Sequence, residues 1–290
     1  MSKDFTLTVI TGATSSGKTK LAIDLALKTN AEIICADSRS VYKDLDIVSA
    51  KATKEEMQGI EHHLLDIIEP NQDFSAGDFC TFANIAINKI KNKGKNVIIA
   101  GGTWFYIKSL LEENELPQVG INKDLREELG KKEEDELWQI LFNLDKKRAE
   151  QIHKNNKDKV IRSIEMCKAL NAPISEYIRP RKENILKAKW FMPKMEREEI
   201  YDRINKRVDI MLEMGLFEEW QKNKEKYPNS NVIKNTIGYR EFFEFEDFNL
   251  AVEKIKQRTR NFAKRQLTYF RSNPDIIHVN GVDELLKNPL

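Results

Sequence analysis

Residues Gly12-Ala13-Thr14-Ser15-Ser16-Gly17-Lys18-Thr19 fit the pattern G-x-x-x-x-G-K-[ST]. An apolar run, Phe5–Ile10, stands directly before them and an amphipathic stretch, Thr19–Lys28, directly after. That setting of strand, loop and helix is what a phosphate-binding loop (P-loop) requires. Its glycines let backbone N–H groups curl around an anion, and the following helix adds its positive end. Lys18 supplies a point charge, and the Thr19 hydroxyl can ligate Mg²⁺.

Further short apolar runs bounded by turn residues occur at Ala31–Ala36, Leu64–Ile68 and Val97–Ala100, with the amphipathic stretch Asp78–Lys91 among them. This alternation reads as βαβ units around a parallel sheet. From Asn114 to Ile185 no strand-like run appears, and apolar residues such as Leu137, Ile140, Leu141 and Leu144 recur at helical spacing. Ala188–Met192 then resembles a strand, and long amphipathic helices are predicted over Arg197–Lys224 and around Leu250–Arg271. Pro173, Pro180 and Pro193 cluster where the helical segment hands back to the first domain. The expected fold class is α/β, a P-loop NTPase-like core with a parallel sheet flanked by helices, plus an all-helical insertion domain. The core would span 1–113 and 186–290, and the insertion 114–185.

Composition excludes some classes. Lys and Arg exceed Asp and Glu by only 48 to 46, so net charge alone gives no reason for a polyanionic partner. Cys35, Cys80 and Cys167 are odd in number and widely spaced, which suits neither a disulfide framework nor a zinc site. They are expected as buried thiols in a reducing, cytoplasmic setting. No apolar run has the roughly 20 residues of a membrane span. With the P-loop opening at Gly12, no leader is expected ahead of it.

An NTPase usually places a second acid at a neighbouring strand end. Here Val97–Ala100 leads into Gly101-Gly102-Thr103, and the acid falls instead at Asp37, after Ala31–Ala36. A carboxylate at that edge points into the ligand crevice and could act as a general base, or it could cap the next turn. Gly101 and Gly102 would let a ligand approach the backbone closely. His62 and His63 have no metal-ligand spacing to a Cys or carboxylate and read as core or strand-end residues. Lys254 to Arg271 holds seven basic residues and no acid. On a helix Lys256, Arg260, Lys264 and Arg271 share one face, while Ile255, Phe262 and Tyr269 lie on the other, so one face packs and one offers cations to a phosphate backbone. Lys154, Lys157, Lys159 and Arg162 form a second cluster, diluted by Asp158 and Glu165. Arg203 and Arg207, four apart, share a helix face.

These motifs in this order resemble the bacterial tRNA dimethylallyltransferase family, also called tRNA isopentenyltransferase, over nearly the whole chain. The resemblance rests on the P-loop, Asp37-Ser38-Arg39-Ser40-Val41-Tyr42 with Leu45-Asp46-Ile47, His62-His63-Leu64-Leu65-Asp66, and Phe74-Ser75-Ala76 with Asp78-Phe79. It continues through Gly101-Gly102-Thr103 with Tyr106, Ile237-Gly238-Tyr239 with Glu241, and Lys264-Arg265-Gln266-Leu267-Thr268-Tyr269-Phe270-Arg271. Ser40, Lys159 and Tyr269 depart from the family's usual Gln, Arg and Trp.

The resemblance implies transfer of a dimethylallyl group from dimethylallyl diphosphate to N6 of the adenosine 3′ of the anticodon, in tRNAs reading codons that begin with U. Gly12 to Thr19 and Arg207 would bind the diphosphate as leaving group, with no ATP, and Mg²⁺ on Thr19 would be the cofactor. Lys18 and Thr19 would neutralise charge, Asp37 would take the proton, and Thr103 would orient the adenine. Contacts to tRNA are implied for Asp37, Ser38, Arg39, Ser40 and Thr103, and for Arg126, Asp158, Lys159 and Arg162 of the insertion. They are implied also for Gly238, Tyr239, Arg240, Lys264, Arg265, Gln266, Thr268 and Arg271. A monomer is expected. A small-molecule P-loop kinase, an isopentenyltransferase acting on free adenine nucleotides and a non-catalytic RNA-binding module are the alternatives.

Overall fold

A computed structural model describes residues 6–111, 119–177 and 188–288. The chain forms two compact units, Met1–Leu111 with Leu186–Leu290, and Glu112–Ile185. The expected boundary residues Asn114 and Ile185, the strand start Phe5, and Pro180 lie outside the described residues.

The first unit is built on six strands: β1 (Leu7–Thr11), β2 (Ala31–Cys35), β3 (His62–His63), β4 (Asn96–Gly101), β5 (Ala188–Pro193) and β6 (Ile276–Val279). They pair in parallel in the order β3-β2-β4-β1-β5-β6. This is the α/β, P-loop NTPase-like arrangement that the alternation of apolar runs predicts. Its helices before the second unit are α1 (Lys18–Thr29), α2 (Asp46–Ser49), α3 (Lys54–Met57), α4 (Ala76–Asn92) and α5 (Trp104–Leu111). The second unit holds α6 (Lys123–Gly130), α7 (Glu134–Leu144), α8 (Lys146–Glu150) and α9 (Lys157–Leu170). Back in the first unit follow α10 (Arg197–Glu213), α11 (Leu216–Lys226), α12 (Asn231–Asn235), α13 (Arg240–Glu244), α14 (Phe248–Phe270) and α15 (Val282–Leu286).

Strands of a parallel sheet are covered on both faces and so read as continuous apolar runs. Every residue of β1 is buried. One face of the sheet, with Val9, Ile34, Val97 and Ile99, packs against Phe79, Ala83 and Ile87 of α4 and Ile107 of α5. The other, with Ile10, Ile33, Ile98 and Phe191, packs against Leu21, Leu25 and Ala26 of α1. A third cluster joins Val41, Leu45 and Val48 to Leu216, Trp220, Tyr239 and Phe242.

The structure corrects three sequence expectations. The strand expected at Leu64–Ile68 is the His62–His63 pair instead. Leu64 (φ 66°) and Asp66 (φ 55°) are left-handed, which ends an extended run. The N–H groups of Asp66, Ile67 and Ile68 turn to the carbonyls of Ser40 and Val41. The helix expected over Arg197–Lys224 breaks at Gly215 (φ 95°), a conformation that glycine adopts without steric cost. On α14 the buried residues are Ala251, Val252, Ile255, Ala263, Gln266 and Phe270. Phe262 (38%) and Tyr269 (58%) are exposed, so the packing face is turned from the one predicted. Of the cysteines, Cys167 is buried and Cys35 and Cys80 are partly exposed.

In the second unit Leu129, Leu137, Leu141, Val160 and Ile164 form the core. Glu165 is buried in it and accepts bonds from Arg126 Nε (3.0 Å) and Nη2 (2.8 Å), from Arg162 Nη1 and from the Asn122 N–H (2.7 Å). Burial pushes the Glu165 carboxyl up, and these donors outweigh it and hold the group below its ordinary range.

Candidate active site

The P-loop leaves β1 at Gly12 (φ 151°), where a Cβ would stand 2.6 Å from Ser16 Oγ. Ser15 is left-handed (φ 62°), and Gly17 (φ 84°) admits the chain to α1. Ser15 Oγ and Ser16 Oγ are buried with no hydrogen-bond partner among the described residues. Buried polar atoms are seldom left unpaired, so two orphan hydroxyls beside a helix start mark a seat for an acceptor-rich ligand. Lys18 Nζ donates to Ala13 O (3.3 Å), and Arg207 of α10 donates to Thr14 Oγ1 (3.4 Å). Burial lowers the Lys18 ammonium to about 8, opposed by the Asp37 charge and aided by that of Arg207. Burial also lowers Arg207. Thr19 is exposed, and its hydroxyl, with phosphate oxygens, suits a hard cation.

Two cavities of about 450 and 390 Å³ meet here, both lined by Lys18, Thr19, Glu56 and Arg207. Arg203 lines the first. The second reaches Asp37 and Gln266, with an apolar wall that includes Ile47, Ile210, Met211, Met214 and Phe262. Positions 207, 210, 211 and 214 form one helix face, so α10 presents a guanidinium followed by apolar side chains. That spacing is readable in the sequence; its role is not, because nothing there says the face meets the P-loop.

Asp37 Oδ1 accepts from the N–H groups of Arg39 (2.8 Å) and Ser40 (3.3 Å), the capping role weighed from the sequence. Oδ2 makes no hydrogen bond among the described residues, so one oxygen holds the turn and the other is unengaged, on a residue that lines the second cavity. Thr103 Oγ1 accepts from the Ser38 N–H (3.0 Å) and keeps its own proton to donate.

The glycines at 101 and 102 serve packing. A Cβ on Gly101 would lie 2.0 Å from Ala36 O, and one on Gly102 would lie 2.4 Å from Gln266 Nε2. Gly101 also lines the second cavity, beside Asp37. Gln266 is buried on α14, with Oε1 accepting from the Thr14 N–H (2.8 Å) and Nε2 donating to Gly102 O (3.0 Å). The residue expected on RNA thus braces the P-loop.

The other RNA-assigned residues differ in exposure and in partners. Lys264, Arg265, Thr268 and Arg271 are exposed along α14, and Asp158 and Lys159 are exposed at the start of α9. Ser38 and Arg39 are half-buried, and Ser40 is buried at the cleft. Arg126 and Arg162 are committed to Glu165. Gly238 is buried, its N–H donating to Glu241 Oε2 (2.8 Å). Arg240 is half-buried, 3.5 Å from Glu244. Tyr239 is fully buried (0% exposed), so it offers no surface to RNA.

A further carboxylate and imidazole group, Glu32, Glu61 and His63, could geometrically hold a metal. Lys93 already bonds both Glu32 oxygens (2.9 Å) and Glu61 (2.5 Å), and Lys95 bonds Glu32 (2.8 Å). Burial pushes Glu32 up, yet these partners and His63 bring it down to about 2. The cluster is an ion network at the sheet edge.

A family model described as IPP transferase matches residues 40–273. A tRNA dimethylallyltransferase of Acetivibrio thermocellus is 41% identical, covering 94% of this chain and 90% of its own. Another, of Exiguobacterium sibiricum, is 43% identical over 92% of this chain and 87% of its own. Among solved structures, a tRNA isopentenylpyrophosphate transferase of Bacillus halodurans superposes with TM-score 0.70 at 34% identity, covering 95% of this chain and 90% of that one. A eukaryotic dimethylallyltransferase acting on tRNA gives TM-score 0.83 at 27% identity, covering 99% and 77%.

Proposed function

Because the chain belongs to the IPP transferase family, we propose that it prenylates tRNA. The reaction moves a dimethylallyl group from dimethylallyl diphosphate to N6 of the adenosine 3′-adjacent to the anticodon, in tRNAs that read codons beginning with U. The observation that carries this reading is the pairing of an anion seat with a free carboxylate oxygen in one cleft. The seat comprises the orphan Ser15 and Ser16 hydroxyls, Lys18 and Arg207; the oxygen is Asp37 Oδ2.

The chemistry follows from the parts. The P-loop N–H groups from Gly12 to Thr19, with Lys18 and Arg207, stabilise charge that develops on the diphosphate as its bond to the allylic carbon breaks. Thr19 Oγ1 and the phosphate oxygens are a donor set that fits Mg²⁺, which when bound adds further neutralisation. N6 bonds to the allylic carbon and its proton passes to Asp37 Oδ2, while Thr103 Oγ1 donates to the adenine. The apolar wall of Ile47, Ile210 and Met211 suits the C5 chain. An adenosine stacked in a loop cannot enter such a cleft, so it is flipped out. Grip on the loop falls to the exposed Lys264, Arg265, Thr268 and Arg271, and, on the insertion, to Asp158 and Lys159. Arg39 and Arg240 stand nearer the core. The reading carries a monomeric, cytoplasmic enzyme that needs no ATP. Among the described residues no helix is long and apolar enough to cross a membrane.

The test is to incubate the protein with unmodified tRNA, Mg²⁺ and radiolabelled dimethylallyl diphosphate, with AMP as a parallel acceptor and ATP as a parallel nucleotide. Label in tRNA without ATP is expected. Label in AMP alone, or ATP turnover with unlabelled RNA, overturns the reading.

A further inference from the structure

The Ile237-Gly238-Tyr239 turn and α11 converge on a short helix that walls the cleft. Glu219 of α11 accepts three backbone N–H groups at the start of α2: Asp46 (2.9 Å), Ile47 (2.7 Å) and Val48 (3.0 Å). Those N–H groups have no partner inside the helix, so this one carboxylate satisfies them. Tyr239, with its hydroxyl in the core, donates to Glu219 Oε1 (2.6 Å), and Asn223 Nδ2 donates to the Tyr239 hydroxyl (3.0 Å) and to Asp44 O (2.6 Å). Gly238 lies so close that a Cβ there would meet Val48 Cγ2 at 2.7 Å.

From α2 the contacts run on to the proposed base. Asp46 accepts from Lys51 Nζ (2.7 Å), whose ammonium also donates to Tyr42 O (2.7 Å) and to Asp66. The Asp66 N–H donates to Ser40 O (3.2 Å), and the Ser40 N–H donates to Asp37 Oδ1 (3.3 Å). Asp46, Ile47, Ser49 and Lys51 line the same cavity as Asp37.

We propose that Tyr239 and Glu219 are positioning residues for Asp37: they hold α2 and, through it, the turn that aims the Asp37 carboxylate. The role rests on the reading that Asp37 takes the N6 proton. It differs from the RNA contact that resemblance implies for Tyr239, and the two separate in kinetics.

Tyr239→Phe and Glu219→Gln, both nearly isosteric, are made in the full-length protein. Each is assayed for single-turnover transfer at saturating tRNA and donor, for tRNA Kd by filter binding, and for thermal midpoint. The single-turnover rate is expected to fall on the order of 10-fold in each variant, since small misplacement of a reacting group is costly. The tRNA Kd is expected to change less than about 2-fold, because no phosphate contact is lost. In an Asp37→Asn background, Tyr239→Phe is expected to lower the residual rate little further, as for residues acting through one group. A weakened Kd with an unchanged saturating rate assigns Tyr239 to RNA and overturns the proposal. A lowered midpoint with unchanged rate and Kd makes the network a stability brace only and also overturns it. Wild-type protein that labels no tRNA would instead defeat the functional reading, which is scored before any variant.

Discussion

In the proposed mechanism Asp37 has two tasks for its two oxygens. Oδ1 is held by the Arg39 and Ser40 N–H groups, and Oδ2 is left to the cleft. Asp37→Asn keeps an acceptor for the turn but cannot take a proton. Its kcat is expected to fall about 10²- to 10⁴-fold, the usual contribution of a general base, with tRNA Kd unchanged in a binding assay. Lys18 supplies a pH signature. Burial pushes its ammonium down to about 8 in the folded chain, below the ordinary lysine value of 10.5, so across that window the unfolded chain binds more protons than the folded one. The Lys18 contribution therefore makes the free protein more stable as pH rises from about 8 to 10.5. Affinity for the anion runs the other way, because the cation is lost. Calorimetric titration with dimethylallyl diphosphate is expected to show Kd weakening by up to about tenfold per pH unit above about 8. A flat profile there would remove Lys18 as the counter-charge.

At the scale of elements, the cleft depends on close contacts between backbones. Gly101 ends β4 where a Cβ would strike Ala36 O and C at 2.0 and 2.4 Å, atoms that cannot yield without parting β2 from β4. Gly101→Ala is expected to cost about 3 kcal/mol or more by chemical denaturation. Gly102→Ala meets the Gln266 amide, 2.4 Å away, and more loosely Gly12 O at 3.3 Å; that amide joins α14 to the P-loop through Thr14 and Gly102. Its displacement leaves buried polar groups unpaired, at about 1–3 kcal/mol, and is expected to weaken diphosphate binding. Gln266→Leu should reproduce that loss without touching the glycine. Gly215 shows the opposite case: a left-handed residue simply divides one amphipathic stretch into α10 and α11 and so brings Glu219 to α2.

For the whole molecule, a net charge of only +2 conceals local asymmetry. The exposed cations of α14 are the proposed electrostatic grip, so Lys264→Ala and Arg271→Ala should each weaken tRNA binding. Each should also reduce the slope of log K against log salt by roughly one. Arg126 and Arg162 behave differently, since both neutralise Glu165, whose side chain is 1% exposed. Glu165→Ala removes the shared acceptor of two arginines that are 37% and 35% exposed and can turn to water, and it leaves the Asn122 N–H unpaired, so it is expected to cost about 1–3 kcal/mol there. Limited proteolysis should find that unit opened, while diphosphate binding, whose residues all lie in the first unit, persists. Loss of RNA affinity in Arg126→Ala is therefore to be read beside a folding measurement.

Much of the architecture is local and was legible as such. The P-loop, the buried strands flanking it and the helical character of the insertion follow from glycine placement, continuous apolar runs and 3.6-residue spacing, which act within a few residues of themselves. The P-loop part of the anion seat and the strand-end position of Asp37 belong with these, whereas Arg207 reaches Thr14 only through the packing of α10. Other features needed distant partners. The short β3 pairs with Ile33 and Ile34 of β2, and the left-handed Leu64 and Asp66 bend the chain beyond it so that the N–H groups of Asp66, Ile67 and Ile68 reach carbonyls of Ser40 and Val41, some two dozen residues earlier. The orientation of α14 is set by where Gln266 and Phe270 find cover, and helical periodicity alone could not choose between two plausible faces. The burial of Tyr239, the capping of α2 by Glu219 and the pairing of Arg126 with Glu165 are likewise tertiary decisions. A buried hydrogen bond is formed by whichever partner the fold delivers, and sequence spacing carries no record of that partner.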